Sequence, residues 1–327
     1  MAQILQPTDE NLRLLRKFLR IQGLVAVPTE TVYGLAANAL DAEACSKIFE
    51  AKGRPSNDPL ICHVGSYEDI HKICHSNELA EKLAKRFWPG PLSFVLPKKD
   101  IVPDQVTSGL PSVAVRCPSH PAFRQLIQGC DFPLAAPSAN PFAYISPTTP
   151  DHVEAGLGQK IEYILDGGPC QHGVESTILD LRDPSAPRIL RYGSLPAEDI
   201  ETEIGFAIEK PSPDLKPHQA ALAPGALPKH YSPRTPLHLK NIAISTEELT
   251  NAPDSTAYLL LTKPKGKFGP NIHWLSENGE LSQIASNLYG QLRALDDASY
   301  SKIIAEEAPE LNLGLAINDR LRRAASQ

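Results

Sequence analysis

VAVPTETVYGLAANALDAEACSKIFEAKGRPSNDPLICHV, residues 25–64, is the stretch that decides the fold of this 327-residue chain. It begins as an apolar strand at 24–27, continues into a helical run with Asp41 as a candidate N-cap, and closes with a second apolar strand at 60–64. A turn rich in hydroxyl groups follows the first strand, and a basic turn follows the helix. This order predicts a site for a phosphate-bearing ligand at one end of a sheet.

Strand-like and helical patterns alternate through residues 1–205 and predict an α/β domain with a mixed sheet. A proline-rich, semi-extended linker is predicted over 206–236, and a second, smaller α/β domain over 237–327. Strands are predicted at 24–27, 60–64, 92–96, 113–116, 134–136, 161–165, 177–181, 189–191, 239–244, 257–261 and 272–274. Helices are predicted at 8–21, 42–51, 67–74, 78–87, 120–128, from 147, at 281–295 and at 316–325.

The composition limits the class of protein. The net charge is −6, whereas a non-specific nucleic-acid binder is normally basic. The six cysteines are scattered and form no CxxC pair, which predicts reduced thiols. The N-terminus has no signal-peptide pattern, and no apolar run approaches the ~20 residues of a membrane span. We therefore expect a soluble, cytoplasmic protein that does not enter a membrane.

Three short motifs each have two interpretations. Lys52 and Arg54 at a helix exit can favour the helix dipole, or can bind phosphate as a point charge and a planar fork. Ser138-x-Asn140 and Ser176-Thr177 can form local turn hydrogen bonds, or can present hydroxyl and amide groups to a ligand. The sequence contains no Walker loop, GxGxxG, HExxH or Cys/His cluster. A phosphate site in this chain would therefore depend on side chains.

Buried polar residues at strand ends also leave alternatives open. His63 lies in an apolar strand and is either a core histidine or part of a site. Arg116 ends a strand after three apolar residues, so it needs an anionic ligand or an internal carboxylate. Arg191 occupies a similar position. His230 and Tyr231 stand out in the otherwise polar linker.

Taken together, the motifs resemble those of the threonylcarbamoyl-AMP synthase family. The YrdC-type hallmark, a KxR pair combined with an SxN turn, is present at 52–54 and 138–140. The linker and the C-terminus resemble the long form of the family. In the linker, His230 and Tyr231 are retained, whereas Ala226, Pro228 and Ser232 depart from the family pattern. The matching runs are PTETVYGL (28–35), KGRP (52–55), PLI (59–61), PSAN (137–140), STILDL (176–181), APGALPKHYSP (223–233) and LGLAINDRLRRAA (313–325).

The resemblance implies a YrdC-like twisted open mixed sheet and a Rossmann-like C-terminal domain. It implies that L-threonine, bicarbonate or CO2, and ATP are condensed to threonylcarbamoyl-AMP and pyrophosphate, with Mg²⁺ accompanying ATP and no tightly bound organic cofactor. The metal ligands remain open. The product would pass to a tRNA threonylcarbamoyl transferase complex, and a weak tRNA contact is compatible with this role.

The resemblance also implies the site residues. The catalytic pair would be Lys52 and Arg54. Threonine would be surrounded by Thr29, His63, Arg116, Ala136 and Ser176. ATP would be surrounded by Lys52, Arg54, Ser56, Ser138, Asn140, Ser146, Arg191 and His230. His63 is a candidate general base.

Two other functions share features with this pattern. A double-stranded RNA or tRNA-binding module without adenylating activity would use the same basic pocket, but the acidic balance of the chain argues against it. A carbamoyl-transfer domain of the hydrogenase-maturation type would carry acylphosphatase-like and zinc-binding segments, which the sequence lacks.

Overall fold

The computed structural model describes residues 1–211 and 230–326 and contains two sheets. The ten strands of the large sheet are β1 (Gln3–Leu5), β2 (Val25–Val27), β3 (Gly34–Asn38), β4 (Ile61–His63), β5 (Leu92–Pro97), β6 (Ser112–Arg116), β7 (Leu134–Ala135), β8 (Tyr163–Leu165), β9 (Thr177–Asp180) and β10 (Arg188–Arg191). Its helices are α1 (Asp9–Arg20), α2 (Ala42–Lys52), α3 (Glu78–Phe87), α4 (Asp104–Thr107), α5 (Pro121–Gln128), α6 (Pro150–Leu157) and α7 (Ala197–Ile204), with a 3-10 helix at Glu68–Lys72.

The large sheet is mixed, as predicted. Its strands follow the order β1-β8-β2-β3-β7-β4-β6-β5-β9-β10. Strand β4 pairs in parallel with β6, whereas β5 and β6 are antiparallel. Strands β4, β6 and β10 end at the same edge of the sheet and β9 begins there, so that edge collects the residues at these strand termini.

Caps explain where the first two helices begin and end. The Thr8 hydroxyl accepts from the Asn11 amide at 3.3 Å and starts α1. The Asp41 carboxylate accepts from two amides at the start of α2, at 3.0 and 3.1 Å. Gly53 ends α2 in the left-handed region with φ 64°. The predicted helix at 42–51 is thereby confirmed with both of its boundary residues.

The segment between the first strand and α2 differs from the prediction. No strand was predicted between the first strand and the helix at 42–51, whereas Gly34–Asn38 forms strand β3, antiparallel to β2 with Val25 opposite Ala36. The alanines of this segment favour a helix in isolation. Pairing on both sides, with β2 and with β7, overrides that preference.

The smaller sheet contains only parallel strand pairs, in the order β11-β14-β12-β13. Its elements are β11 (Leu237–Lys240), α8 (Thr246–Thr250), β12 (Thr256–Thr262), β13 (Ile272–Ser276), α9 (Leu281–Asp297), β14 (Lys302–Glu306) and α10 (Leu313–Ala325). The parallel pairing supports the expected Rossmann-like architecture. The strand predicted at 239–244 lies earlier, at β11, and β1, α4, α7, α8 and β14 were not predicted.

Helices α9 and α10 pack against the large-sheet domain. One apolar cluster contains Val32 and Val174 from the large-sheet domain together with Leu288 and Tyr289 from α9. Gly173 allows this approach, because a Cβ there would lie 2.4 Å from the carbonyl oxygen of Ala285. The two domains therefore share a core beside the strand ends.

Three predictions concern the rest of the chain. Most of the predicted linker, including Ala226 and Pro228, lies outside the described residues. Across the two described ranges, no helix is long and apolar enough to span a bilayer. All six cysteines are free thiols, as predicted.

Candidate functional site

A partly enclosed cavity opens at the edge of the large sheet where the sequence motifs meet. Its wall includes the turn after β2, residues of β4, the last residues of β6 and β10, the turn after β7 and the residues just before β9. The predicted residues that line it are Thr29, Arg54, His63, Arg116, Ala136, Ser138, Ser176, Arg191 and His230. Residues separated by up to 201 positions, Thr29 and His230, are thus brought together by the sheet topology.

The hydroxyl of Thr29 shapes the turn after β2. It accepts from the amides of Thr31 and Val32, both at 3.1 Å, and donates to the Val32 carbonyl at 2.6 Å. The Thr31 hydroxyl lies 2.8 Å from it. Local turn bonding, one of the two interpretations open for such residues, therefore explains the conformation of Thr29. Its side chain still lies in the cavity wall.

Arg116 is paired with an internal carboxylate. Its Nη2 lies 2.6 Å from Oε1 of Glu30, its Nη1 donates to the Thr31 hydroxyl at 3.1 Å, and its Nε donates to the Gly90 carbonyl at 3.2 Å. Burial alone would raise the pKa of Glu30, but the Arg116 guanidinium outweighs it and the pKa is lowered. Of the alternatives left open for Arg116, the structure provides the carboxylate, and it holds the guanidinium rigidly in the wall.

His63 is a neutral group in the cavity wall. Burial, together with the nearby positive charge of Arg116, lowers its pKa to about 3. Within the described residues, its Nδ1 has no hydrogen-bond partner. A neutral imidazole with a free ring nitrogen can accept or donate one hydrogen bond to a ligand without adding charge.

Arg54 is held by the turn that follows it. Its Nη2 lies 2.9 Å from Oδ2 of Asp58 and donates to the Pro59 carbonyl at 2.9 Å, while Nε donates to the Asp58 carbonyl at 3.1 Å. Its side chain is only 3% exposed. The guanidinium is therefore preorganised beside the cavity, with no long side chain to be ordered when an anion binds.

Lys52 joins the KxR motif to the SxN turn. Its Nζ donates to the carbonyl oxygens of Ser138 and Asn140, both at 2.6 Å. Burial, reinforced by the charge of Arg54, lowers the pKa of Lys52 well below its ordinary value. Lys52 does not line the cavity. The two hallmark motifs of the sequence are thus joined through this ammonium group, and direct ATP contact by Lys52 stays a prediction.

Three other predicted ATP residues also lie outside the cavity wall. Ser56 is exposed. The Asn140 amide donates to the carbonyls of Pro141 and Tyr144, and its Oδ1 has no partner within the described ranges. The Ser146 hydroxyl donates to Oε1 of Glu175 at 2.7 Å. Their roles at ATP stay predictions.

Ser176 and Arg191 are hydrogen-bonded to each other. Ser176 lies just before β9, and Arg191 is the last residue of β10. Arg191 donates from Nε and Nη2 to the Ser176 carbonyl, at 3.2 and 2.9 Å, and from Nη2 to the Ser176 hydroxyl at 3.2 Å. Gly193 is needed beside them, because a Cβ there would lie 2.2 Å from the carbonyl carbon of Ser176. This close approach places the Arg191 guanidinium in the wall.

A second buried carboxylate, Glu175, was not singled out from the sequence. Its Oε2 lies 2.7 Å from Nε of Arg320 and accepts from the Tyr289 hydroxyl at 3.0 Å. Burial alone would raise the pKa of Glu175, but Arg320 and then Arg191 outweigh it and lower the pKa to about 2. Position 175 directly precedes the STILDL run, which was the one available signal. No local pattern could reveal a partner 145 residues away.

The end of the linker contributes two aromatic rings to the wall. His230 is buried, burial lowers its pKa well below the ordinary value, and Tyr231 follows with φ 61°. The Tyr231 ring stacks on Tyr289 with centroids 5.7 Å apart, and Cζ of Arg320 lies 5.1 Å from its centroid. The predicted linker residue His230 therefore does reach the cavity.

The three arginines in the wall define what the cavity can do. Arg54, Arg116 and Arg191 come from different elements and are each fixed by hydrogen bonds. Fixed cations in a buried wall bind anions and stabilise negative charge that develops on them. The arrangement suits a ligand set with a carboxylate and phosphates.

Family models and relatives match nearly the whole chain. Residues 17–193 match the model of the Sua5, YciO and YrdC proteins, described as "Telomere recombination". Residues 195–326 match the model described as "Threonylcarbamoyl-AMP synthase, C-terminal domain". A threonylcarbamoyl-AMP synthase of Pyrococcus abyssi is 42% identical over 96% of this chain and 94% of its own length. One from Bacillus subtilis is 38% identical over 98% and 94%.

Two solved structures are similar to this chain in fold. The crystal structure of P. abyssi Sua5 complexed with L-threonine superimposes with a TM-score of 0.88 at 39% identity, over 99% of this chain and 98% of that one. Escherichia coli YciO covers 59% of this chain and 96% of its own with a TM-score of 0.54, and at 21% identity it supports the fold alone.

Proposed function

The chain belongs to the threonylcarbamoyl-AMP synthase family, and we propose that it condenses L-threonine, bicarbonate or CO2, and ATP to threonylcarbamoyl-AMP and pyrophosphate. The observation that carries this proposal is the single cavity into which Arg54, Arg116 and Arg191 are fixed from three elements. The reacting groups are anionic, so charge repulsion and alignment are the main barriers. Preorganised cations offset the charge repulsion and align the reacting groups.

The threonine half of the site lies around β2, β4 and β6. Arg116 would bind the threonine carboxylate, with Glu30 holding the guanidinium in place. Thr29, Ala136 and Ser176 would complete this half. The threonine amine, once neutral, forms a C–N bond to CO2, and its proton passes to solvent to leave a carbamate. His63, with its pKa about 3, is too weak a base to take that proton efficiently near pH 7. We propose it as a hydrogen-bonding group for the amine or carbamate.

The nucleotide half lies around Arg54, Ser138 and Arg191. A carbamate oxygen attacks the α-phosphorus, the new O–P bond forms, and the bond to the β-phosphate oxygen breaks so that pyrophosphate leaves. Arg54 and Arg191 would offset the charge that accumulates on the phosphates. Lys52 would act mainly by holding the Ser138–Asn140 turn, because direct ATP contact would require its ammonium to leave two carbonyl oxygens.

Mg²⁺ would enter on the triphosphate as part of the substrate. Within the described residues, no group of three His, Cys, Asp or Glu side chains is placed to hold a metal ion. A cation bound through phosphates and water, which Mg²⁺ prefers, fits such a site. The ion would neutralise phosphate charge. The product would then be transferred to tRNA adenosine by a separate transferase complex.

Pyrophosphate release tests the proposal. The purified protein is supplied with Mg·ATP, bicarbonate and L-threonine, and pyrophosphate is measured with and without threonine. We expect threonine-dependent release, and a loss of about 10²-fold in kcat/KM in Arg54→Ala because a fixed charge at the phosphates is removed. Arg20→Ala, which removes an exposed surface arginine, is the matched control.

Two outcomes would contradict the proposal. One is pyrophosphate release that does not depend on threonine, and the other is an undiminished rate in Arg54→Ala. RNA affinity that falls steeply with salt, in a protein that does not bind ATP, would favour the RNA-binding alternative.

A further inference from the structure

Two side chains of the C-terminal domain reach the carboxylate in the cavity wall. Arg320 on α10 is 1% exposed, and its Nε lies 2.7 Å from Oε2 of Glu175. The hydroxyl of Tyr289 on α9 donates to the same oxygen at 3.0 Å. Arg320 also donates from Nη2 to the Tyr192 carbonyl at 2.9 Å, directly after Arg191. The contact is therefore a buried hydrogen-bonded network that spans the two domains.

The same two side chains hold the end of the linker. The Tyr231 ring is 1% exposed, stacks on Tyr289 at 23° between planes, and has the Arg320 guanidinium over its face. His230 precedes it, with ring centroids 4.1 Å apart. Because Tyr231 is held on both sides, the position of His230 in the cavity is set by α9 and α10.

Charge balance gives Arg320 a further role. Glu175 is buried, so its carboxylate must be compensated. The charged and titratable groups facing it are Arg320, Arg191, Tyr289, Tyr231 and His230. Without Arg320, the carboxylate would take up a proton or draw Arg191 toward itself. Either change would disturb the Ser146 hydroxyl and the guanidinium predicted to bind phosphate.

We propose that Arg320 and Tyr289 are positioning residues for the nucleotide, which act through Glu175 and Tyr231, so that the C-terminal domain completes the ATP half of the site. This inference rests on the function proposed above. It assigns that domain a role in ATP binding that the sequence motifs do not reveal. In the threonine half, the Arg116–Glu30 pair shares no hydrogen bond or ion pair with this network among the described residues. Ser176 is the residue through which Arg191 meets that half.

The test compares Arg320→Met with Arg322→Met. Arg322 lies two residues further along α10 and pairs at the surface with Glu307 and Glu310, so it is a matched control. Calorimetric titration with Mg·ATP measures affinity without turnover, and initial rates give KM for ATP and for threonine. We expect Arg320→Met to weaken ATP binding and raise KM for ATP roughly tenfold, with KM for threonine changed much less. Arg322→Met should match the wild type.

The pH profile separates a positioning role from a merely structural one. The wild-type carboxylate stays ionised across the working range, since the pKa of Glu175 is about 2. In Arg320→Met burial raises that pKa, so ATP affinity should become pH-dependent in mildly acidic solution. The double variant Glu175→Gln/Arg320→Met should lose this dependence and recover part of the affinity, because both charges are then absent.

The outcomes distinguish this inference from the proposed function. A wild-type protein without threonine-dependent pyrophosphate release contradicts the proposed function. An active wild type, together with a folded Arg320→Met that matches Arg322→Met in ATP affinity and pH profile, overturns the inference. If Arg320→Met does not fold, Tyr289→Phe serves instead, because it removes one hydroxyl and keeps the ring. The ATP affinity of Tyr289→Phe should fall about threefold. An affinity equal to that of the wild type in this variant overturns the inference.

Discussion

Three buried carboxylates each pair with an arginine in or beside this site. Glu30 fixes Arg116, Asp58 fixes Arg54, and Glu175 binds Arg320. Each pair is almost fully buried, so its attraction is weakly screened, but removing one partner leaves a charge that water cannot reach. The carboxylates therefore matter to stability as well as to the shape of the cavity.

Substitution of Glu30 tests whether such a carboxylate stabilises the fold and holds its arginine in place. In Glu30→Gln the Arg116 guanidinium loses its charged partner, and we expect the free energy of unfolding to fall by about 3–5 kcal/mol. KM for threonine should rise as well, because the guanidinium is no longer fixed. Urea unfolding of the ligand-free protein measures the first effect and initial rates the second. Asp131→Asn, at an exposed pair with Arg20, should leave both unchanged, and equal effects in the two variants would contradict the prediction.

At the scale of elements, the site depends on contacts between strand ends and the turns that follow them. Helix α2 ends at Gly53, which directs the chain into the Arg54 turn. Its last residue, Lys52, binds the turn after β7 through two carbonyls. The SxN turn is therefore held by an ammonium group from a helix 86 residues earlier in the chain.

Lys52→Met tests this contact between elements. The methionine retains the length of the side chain and removes the ammonium, so the carbonyls of Ser138 and Asn140 lose their donor. We expect a loss of about 2–4 kcal/mol in the free energy of unfolding, measured without ATP, because buried acceptors are left unsatisfied. Lys47→Met on the same helix is the control, since the hydrogen bonds of its ammonium to Gln22 are long, at 3.3 and 3.5 Å. A Lys52→Met protein as stable as this control would mean that the lysine acts at ATP alone.

In the folded protein, burial keeps several histidines neutral. Burial lowers the pKa of His63 to about 3 and that of His152 to about 4, and it also lowers the pKa values of His120, His172 and His230. In the unfolded chain these groups titrate near 6.5. Below that pH the unfolded state binds more protons than the folded state, so stability must fall as pH falls.

Stability should therefore decline from about pH 6.5 downward, before the carboxylates titrate. For His63 alone the loss at pH 5 amounts to about 2 kcal/mol. Glu30 and Glu175 add their own loss only below their unfolded pKa of 4.5. Urea unfolding at pH 7.5, 6 and 5 measures the slope, and His63→Gln should reduce it. A free energy of unfolding that stays constant or rises between pH 7.5 and 5 would contradict this prediction.

Local patterns in the sequence were sufficient to predict several secondary-structure elements and many residues of the cavity wall. The Asp41 cap, the Gly53 stop and the apolar strand at 60–64 each depend on neighbouring residues, so their signals are local. Strand β3 was missed because its alanines favour a helix until they pair with β2 and β7. The polar residues that follow strand ends, such as Arg116 and Ser138, could be placed because strand ends meet at one edge of a sheet.

The sequence by itself thus determined the fold class, the motifs and most of the residues that line the cavity. Only the tertiary structure decided which charges are paired. Arg116 could have served a ligand alone, but Glu30 meets it across 86 positions, and Glu175 meets Arg320 across 145. Such pairs form because sheets and helices bring distant segments together. No periodicity or spacing along the chain shows which distant residues will meet.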